Sequence, residues 1–200
     1  MKSTPRRLLA LVLVLLALPV VAAAEASTWT VDRTHSDVAF QVRHFLTPVR
    51  GEFNDFEGVV VYDPENPAAS RVEVTVQAAS IDTDNERRDG HLRSDDFFAA
   101  ETHPTLTFKS KKVEQGADGL AVTGELTIRG VTKEVTVPVE VLGVMGDKAG
   151  FSTRFVVDRL DYGVSWNNVL DQGGAVLGDE VTIDLNFELD RQKEDTQAQG

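Results

Sequence analysis

Apolar and polar residues alternate along much of the chain, and the alternation is most regular in four segments. These segments are residues 71–78, 120–129, 134–141 and 181–189. In the last of them, apolar residues occupy every second position: Val181, Ile183, Leu185, Phe187 and Leu189. Successive side chains of a β-strand point to opposite faces of the sheet, so this period predicts antiparallel strands with one buried and one solvated face.

Shorter or less regular stretches predict further strands. They are residues 28–32, 36–44, 49–62, 106–108 and 151–157, which brings the total to about eight to ten strands. The alternation slips at residues 54–58, where we expect a bulge or a bend. Turn-forming residues at 63–67 and 115–119 predict tight connections, and residues 143–150 indicate a looser loop.

One long segment departs from the strand pattern. Residues 80–98 are polar and charged and lack alternation. Residues 84–93 within it predict one short helix, with Thr83 or Asp82 as its N-terminal cap. A short helix between two groups of strands can close one end of a barrel, so we interpret this segment as a lid.

The predicted sheet is long and has one apolar face. Such a sheet must either close into a barrel or fold into a sandwich, and the alternation alone does not decide between the two. The interior of an eight-stranded barrel is just wide enough to be filled by side chains or to hold one small ligand. Without repeats or linkers, residues 27–190 predict a single all-β domain, and the polar residues 191–200 predict a disordered tail.

The first 26 residues have the pattern of a cleaved signal peptide. Lys2, Arg6 and Arg7 precede an apolar run from Leu8 to Val21, and small residues follow at 22–26. The alternative is a membrane anchor, but the run has 14 residues, whereas a spanning helix needs about 20. The sequence therefore predicts export, and the absence of cysteine from the chain fits a bacterial periplasm.

The charge of the chain disfavours several classes of partner. The full sequence has a net charge of −12, and the residues after the predicted signal peptide include 17 basic and 31 acidic ones, a net charge of −14. Such a surface repels nucleic-acid phosphates and anionic bilayers, and it also argues against docking through a polybasic face. Solubility is the simplest explanation of this acidity.

Several blocks of residues, in a fixed order, resemble those of one known family. They are His35-Ser36-x-Val38-x-Phe40-x-Val42-x-His44, Gly51-x-Phe53-x-x-Phe56-x-Gly58, Ser80-Ile81-x-Thr83-x-Asn85-x-x-Arg88-Asp89-x-His91-Leu92-x-x-x-x-Phe97-Phe98, His103-Pro104, Phe108-x-Ser110, Gly124-x-Leu126-Thr127-Ile128-x-Gly130-Val131-Thr132, Gly150-Phe151, Asp158-Arg159-x-Asp161-Tyr162-Gly163 and Gly178-Asp179-x-Val181. Together they make the chain resemble the YceI-like, polyisoprenoid-binding family throughout the length that follows the predicted signal peptide.

The resemblance implies an extended, antiparallel, eight-stranded barrel of lipocalin-like shape, with the lid near residues 84–93. It also implies an isoprenoid or similar chain in a long apolar channel, a periplasmic address and no verified catalytic activity. We expect the channel to be lined by apolar residues of the matched blocks and the last strands: Phe40, Val42, Phe53, Phe56, Phe97, Phe98, Phe108, Leu126, Ile128, Phe151, Phe155 and Phe187. The alternative is that these side chains pack against one another as a solid core.

Polar residues near the predicted lid are candidates for contacts with a ligand head group at the barrel mouth. They are His35, Arg88, Asp89 and His91. The alternative for the lid residues is a hydrogen-bond network that fixes the helix to its flanking loop. For Asp158, Arg159 and Asp161, a structural ion pair is the better interpretation.

Metal and hydrolase chemistry have little support in the sequence. The four histidines lack a zinc-type spacing, and no cysteine is available as a partner ligand. The Gly-x-Ser-x-Gly motif of hydrolases and the glycine-rich phosphate loops are absent from the sequence as well. We therefore expect neither a metal nor a cofactor, only a bound lipid.

The function that these patterns favour is binding, transport or storage of a long apolar lipid, either a polyisoprenoid or an isoprenoid quinone. One alternative is stress-related sequestration of other amphiphiles such as fatty acids or amides, and another is an enzyme that acts on such lipids. Expected partners are the lipid, a transient contact with a membrane or membrane protein, and a second copy in a homodimer, but no nucleic acid.

Overall fold

The computed structural model describes residues 26–116, 119–168 and 176–193. Within these ranges the chain forms eleven strands, one α-helix and three short 3-10 helices. The strands are β1 (Ser27–Val31), β2 (Asp37–His44), β3 (Thr47–Phe53), β4 (Phe56–Tyr62), β5 (Arg71–Gln77), β6 (Ile81–Asp82), β7 (Thr105–Gln115), β8 (Leu120–Ile128), β9 (Val131–Met145), β10 (Lys148–Asp158) and β11 (Leu177–Arg191). The α-helix is α1 (Glu86–Arg93), and the 3-10 helices are Pro67–Ala69, Ala78–Ser80 and Arg159–Tyr162.

The strands form one closed antiparallel barrel with eight strand positions, which confirms the predicted fold. Three positions are occupied by bent strands, namely β1 with β2, β3 with β4, and β5 with β6. Each position pairs with its neighbours along the chain, and β11 closes the ring by pairing with both β2 and β1. A closed barrel has no free sheet edge and keeps the alternating apolar side chains inside.

The bends in the first three strand positions lie side by side. The amide of Asn54, between β3 and β4, donates to the carbonyl of Ser80 at 3.1 Å, and Arg33 donates from its Nη2 to the carbonyl of Asn54 at 2.9 Å. In the first bend, the Asp32 carboxylate accepts the Thr34 amide at 3.0 Å. The slip in alternation predicted at residues 54–58 is therefore a break that starts at Asn54, and β4 resumes at Phe56.

The segment 143–150 is not the loose loop that the sequence indicated. Strand β9 continues to Met145 and β10 begins at Lys148, so only Gly146 and Asp147 form the turn. Gly143 pairs with Gly150, and the register shifts immediately after Gly150. This irregularity displaces the alternation by one residue, which is why the strand pattern is hidden in the sequence.

Helix α1 covers one end of the barrel, and this confirms the predicted helix near residues 84–93. Its cap is Asn85, whose side chain accepts the Arg88 amide, so the predicted caps Thr83 and Asp82 were wrong. The covered end, called the lid end below, also contains the β2–β3, β8–β9 and β10–β11 connections. No helix in the described part of the chain is both long and apolar enough to cross a membrane.

The ends of the predicted domain fall partly outside the described residues. Residues 1–25, which are most of the predicted signal peptide, lie outside the described residues. So do residues 194–200, which are most of the predicted tail. Arg191, which the sequence placed at the start of the tail, is the last residue of β11 and pairs with Trp29 of β1.

Candidate functional site

The barrel interior contains two adjoining cavities. The inner cavity lies in the body of the barrel and has a volume of about 170 Å³, and the outer cavity lies beneath α1 and has a volume of about 490 Å³. Five side chains line both of them: Phe40, Phe53, Leu106, Ile128 and Ile183. The two cavities therefore meet at this ring of side chains, and we call the whole space the tunnel.

Side chains in the middle of the barrel are only half-buried although they point inward. Phe40, Phe108 and Phe155 lie within long central strands and are each partly accessible, whereas Leu189 and Trp29 near the opposite end are fully buried. A side chain that is surrounded by strands can be accessible only if it faces an empty space. The interior is therefore hollow over the tunnel, which reaches Leu189, while the Trp29 side chain at that end is tightly packed.

Two glycines determine where phenylalanine rings lie along the tunnel. A Cβ atom on Gly51 would come within 2.6 Å of the Phe40 Cζ atom, and a Cβ on Gly124 would come within 2.6 Å of the Phe108 Cζ atom. Only glycine leaves room for these rings against the neighbouring strand. Both glycines occur in the sequence blocks above, but sequence reasoning gave them no role because ring positions depend on strand register.

Eleven of the twelve predicted channel residues line the tunnel. They are Phe40, Val42, Phe53, Phe97, Phe98, Phe108, Leu126, Ile128, Phe151, Phe155 and Phe187. Phe56 does not line either cavity, because it begins β4 beside the break at Asn54, is 4% exposed and stacks on Phe187 with ring centroids 5.9 Å apart. Whether the other eleven contact a ligand stays a prediction.

The outer cavity has lining residues that the sequence did not single out. Tyr162, Val164 and Trp166 come from the connection between β10 and β11. Residues of an irregular connection show no periodic pattern that could reveal them. The Trp166 ring packs against Phe97 with centroids 5.2 Å apart and against His91 at 4.8 Å, so these three rings form an aromatic cluster under the lid.

The polar part of the outer cavity consists of donor groups and an amide. These residues are His44, Asn85, Arg87, Arg88, His91 and Arg159. No aspartate or glutamate is among the described residues that line this cavity. In a chain with 32 acidic and 20 basic residues, this lining is opposite in character to the surface as a whole.

Two of the four predicted mouth residues, Arg88 and His91, line the outer cavity. Arg88 donates from its Nε to the Thr83 Oγ1 at 2.7 Å and from its Nη2 to the Thr83 carbonyl at 2.6 Å. His91 hydrogen-bonds through its Nε2 to the Asp96 carboxylate at 2.8 Å. Both side chains are therefore held in place beside the cavity.

Asp89 does not face the cavity but fixes the lid, as in the alternative interpretation. It is 5% exposed, and its Oδ1 accepts the Thr83 amide at 3.0 Å and the Thr83 hydroxyl at 2.5 Å. A buried carboxylate is tolerated where hydrogen bonds replace its hydration. The Asp89–Thr83 pair thus ties α1 to the strand segment that precedes it.

His35 lies away from the mouth, on the outer side of the bend between β1 and β2. Its Nδ1 is 2.8 Å from the Asp32 carboxylate, and the Lys148 ammonium lies 3.0 Å from the same carboxylate. The hydrogen bond with Asp32 raises the pKa of His35. Hydrogen bonds from His35, Lys148 and the Thr34 amide together hold the pKa of Asp32 well below its usual range.

The group around His35 also contains the one set of potential metal ligands found among the described residues. Asp32, His35 and Glu188 bring one ligand atom each within 4.8 Å of one another. The Lys148 ammonium already bonds to Asp32, to Glu188 at 2.8 Å and to Asp190 at 2.9 Å. A cation of the protein is thus already paired with these carboxylates, and the arrangement is that of a surface ion-pair network.

Arg159 is buried at the edge of the outer cavity and organises the β10–β11 connection. It donates to the carbonyls of Val164 and Gly178 at 2.5 and 2.8 Å, and it pairs with the Asp179 carboxylate at 3.1 Å. Neither acidic neighbour in the sequence is its partner. Asp158 accepts the Leu160 amide, and Asp161 pairs with Lys133.

Known proteins are similar to this chain in sequence and in fold. Residues 29–189 match the family model described as the YceI-like domain. The UPF0312 protein of Pseudomonas paraeruginosa is 36% identical over 177 residues, which span 84% of this chain and 90% of that protein. The structure of Burkholderia cenocepacia BcnA superposes with a TM-score of 0.72 and 30% identity, covering 79% of this chain and 98% of that one.

A more distant structure has the same fold. It is described as a polyisoprenoid binding domain from Saccharophagus degradans, with a TM-score of 0.66 and 14% identity, covering 84% of this chain and all of that one. At this identity the likeness concerns the fold. The family model, however, spans nearly the whole described barrel, and the chain therefore belongs to the YceI-like domain family.

Proposed function

We propose that this protein binds a long apolar lipid, a polyisoprenoid or an isoprenoid quinone, inside its barrel and transports or stores it in the periplasm. The observation that supports this most directly is the tunnel, in which inward-facing phenylalanines remain accessible because no side chain fills the centre. The Saccharophagus degradans neighbour, described as a polyisoprenoid binding domain, and the signal-peptide pattern support the proposal further.

The size of the driving force fits a ligand without a strong polar anchor. Burying one CH₂ group stabilises a complex by about 0.8 kcal/mol. A chain of about 20 carbons therefore has ample gross driving force from apolar contact alone. The inner cavity, with its aliphatic and phenylalanine lining, would select for length and flexibility of the chain rather than for its head group.

The polar end of the ligand would lie in the outer cavity, beside Arg87, Arg88 and His91. These side chains supply hydrogen-bond donors, and no described carboxylate lines the cavity to repel an electron-rich head group. Quinone carbonyls and other acceptor groups match such a site. Fatty acids or amides, the alternative cargo, would have the same acceptor chemistry, so the cargo must be identified directly.

A binding role fits the outer cavity better than catalysis. No serine or cysteine is among the described residues that line it, and both Arg88 and Arg159 are engaged in hydrogen bonds to backbone carbonyls. Nucleophilic catalysis requires an activated nucleophile beside a base. We therefore propose a non-catalytic carrier, with an enzyme acting on the same lipids as the alternative.

Native mass spectrometry on freshly purified protein tests the proposal, with Leu106→Trp as the informative variant. Leu106 belongs to the ring where the two cavities meet, so an indole there should block passage of a long chain and abolish the lipid adduct. Val59→Trp is the matched control, because Val59 is 43% exposed on the outer face of β4. Circular dichroism establishes that both variants are folded.

The wild-type protein and Val59→Trp should show one bound lipid, and Leu106→Trp should show none. A wild-type protein that retains nothing after gentle extraction, and takes up neither added polyprenol nor quinone, refutes the proposed function. Release of a chemically altered lipid during incubation would support the enzyme instead. Fractionation of cells that express the full chain tests the periplasmic location.

A further inference from the structure

The turn between β2 and β3 presents two large apolar side chains to solvent at the lid end. Phe45 and Leu46 form this two-residue turn, with Phe45 47% exposed and Leu46 85% exposed. Their neighbours His44 and Val49 line the outer cavity. The turn, which we call the apolar tip, therefore lies at the edge of the space through which a ligand would enter.

The backbone of the apolar tip is of a kind that glycine usually occupies. Phe45 has a φ of 55°, and it is the first central residue of a two-residue hairpin. A positive φ at that position is typical of type II′ turns, which favour glycine there. The turn is held by the Phe45 amide, which donates to the Val176 carbonyl at 2.6 Å, and by Arg43, which donates to the Phe45 carbonyl at 2.9 Å. An exposed phenylalanine in this place benefits neither the turn nor solubility, so it points to contact with something apolar.

The hairpin that carries the apolar tip differs in charge from the chain as a whole. Residues 41–51 contain Arg43, His44 and Arg50 but no aspartate or glutamate, in a chain with a net charge of −12. Lysine or arginine near an anionic bilayer surface favours binding, and this attraction is screened within about 8–10 Å. The adjoining β11 carries Glu180 and Asp179, the latter paired with Arg159. Acidic regions farther from the tip would repel the bilayer only weakly at physiological salt.

A second apolar turn at the opposite end of the barrel lacks these features. Leu142, Val144 and Met145 are exposed beside the β9–β10 turn, but Glu140 and Asp147 lie within the same hairpin. That end of the barrel is closed by the fully buried Trp29 and Leu189. The β8–β9 turn at the lid end shares these features to a smaller degree, with Val131 37% exposed beside Arg129 and Ile128 lining the outer cavity. At the lid end the β2–β3 turn has the greatest apolar exposure beside the cavity.

We propose that the apolar tip docks the protein on the surface of an anionic lipid bilayer, with Phe45 and Leu46 inserted among the lipids and the outer cavity facing the membrane. This inference rests on the proposed lipid-binding function and specifies its partner. An apolar chain could then move between bilayer and tunnel past the tip without crossing bulk water, where its exposure is unfavourable. Basic residues flanking exposed aromatic and leucine side chains are typical of interfacial membrane binding.

The test is flotation of the full chain, after removal of any signal peptide in the host, with vesicles of phosphatidylethanolamine and phosphatidylglycerol. The double variant Phe45→Gly with Leu46→Ser removes the apolar side chains while glycine favours the turn. Vesicle affinity should fall about tenfold or more because two inserted side chains are lost. Met145→Ser, which changes an 82% exposed apolar residue at the other end, should retain wild-type affinity.

Binding to vesicles that contain no cargo lipid tests docking independently of the proposed lipid-binding function. The double variant should keep its equilibrium lipid load in native mass spectrometry but transfer a fluorescent prenyl chain from vesicles about tenfold more slowly. Absence of vesicle binding by the wild type, or equal binding by the double variant, refutes docking. If binding is tip-dependent but no lipid is ever retained, docking stands and the carrier function fails. If the tip variant changes only a dimer into a monomer, the tip contacts a second copy and docking is refuted.

Discussion

Individual glycines position the rings that leave the tunnel open. A Cβ on Gly51 would meet both the Phe40 ring and the Thr83 methyl group at 2.6 Å, and Thr83 is held in place by its hydrogen bonds with Asp89 and Arg88. A single methyl group at this position therefore affects the tunnel wall and the lid anchor together.

Gly51→Ala should lower the free energy of unfolding by about 1–3 kcal/mol, since overpacking forces side chains off their preferred rotamers. Chemical denaturation measures this change. Gly90→Ala is the control: nothing lies within 4 Å of a Cβ at Gly90, and alanine in place of a helical glycine should stabilise by about 0.5–1 kcal/mol. Equal stability of the two variants would contradict the close contact at Gly51.

His35 provides a prediction about pH. Its pKa in the folded protein is raised, chiefly by the hydrogen bond with Asp32, so its ion pair stabilises the fold fully below the ordinary histidine pKa of about 6.5. This stabilisation is lost as the pH rises through the raised value. The free energy of unfolding should therefore fall more steeply with rising pH above about 6.5 in the wild type than in His35→Gln.

The same site can be titrated directly by NMR. Asp32→Asn should lower the pKa of His35 more than Glu188→Gln does, because Asp32 contributes both the hydrogen bond and the larger charge effect. High salt should reduce the effect of Glu188, whose carboxylate is 3.9 Å from the imidazole. An unchanged His35 titration in Asp32→Asn would show that the pair does not persist in solution.

At the scale of elements, the lid depends on one buried carboxylate. Asp89→Ala leaves the buried Thr83 amide without its acceptor, and this should destabilise the protein by about 1–3 kcal/mol. Because α1 would then be attached less firmly to β6, release of bound lipid should become faster. Stopped-flow transfer of a fluorescent lipid measures that rate.

Glu86→Gln is the matched control on the same helix, since Glu86 is exposed. It should change stability by no more than about 0.5 kcal/mol and leave the rate of lipid release unchanged. A similar rate in Asp89→Ala and Glu86→Gln would show that the lid does not limit exchange.

The elements themselves could largely be predicted from the sequence. Period-two alternation identified β5, β8, β9 and β11, because an inward apolar face and an outward polar face are imposed by barrel closure. Boundaries failed where side chains carry no pattern, as at Gly143 and Gly150, where a bulge lies inside a continuous hairpin. The helix cap was misplaced because Thr83, a typical capping residue, hydrogen-bonds to Asp89 instead of to the helix N-terminus.

The candidate site was predictable in its apolar part and less so in its polar part. Inward-facing residues such as Phe40 and Phe108 follow from strand alternation once a barrel is assumed. The position of a residue along the barrel does not follow from alternation. The sequence placed His35 at the mouth, but His35 lies in the bend between β1 and β2, where it pairs with Asp32 near Lys148. Trp166 lies in an irregular connection, so only the three-dimensional structure brings it beside His91.

At the scale of the whole molecule, a bound lipid should stabilise the folded state because it fills the tunnel. A ligand that binds only the folded state stabilises it by about 2.7 kcal/mol at a concentration 100 times its Kd. In a chain of this size that corresponds to a rise in Tm of about 5–10 °C. Delipidated protein should therefore melt earlier than freshly purified protein, and calorimetry should show recovery when a polyprenol or quinone is added. A Tm that is indifferent to lipid would indicate that the tunnel stays empty.

The seal between β1 and β11 determines when the barrel can be completed. The Thr30 hydroxyl and the Asp190 carbonyl, 160 positions apart, lie next to each other in this seam. A chain still leaving the ribosome cannot form the last strand pairing, and such distant pairings form slowly. The barrel thus cannot close until its final strand is available, and a chain that cannot yet close its barrel is better suited to passage through a narrow translocation pore. For the proposed periplasmic carrier, folding and lipid binding would then both follow export.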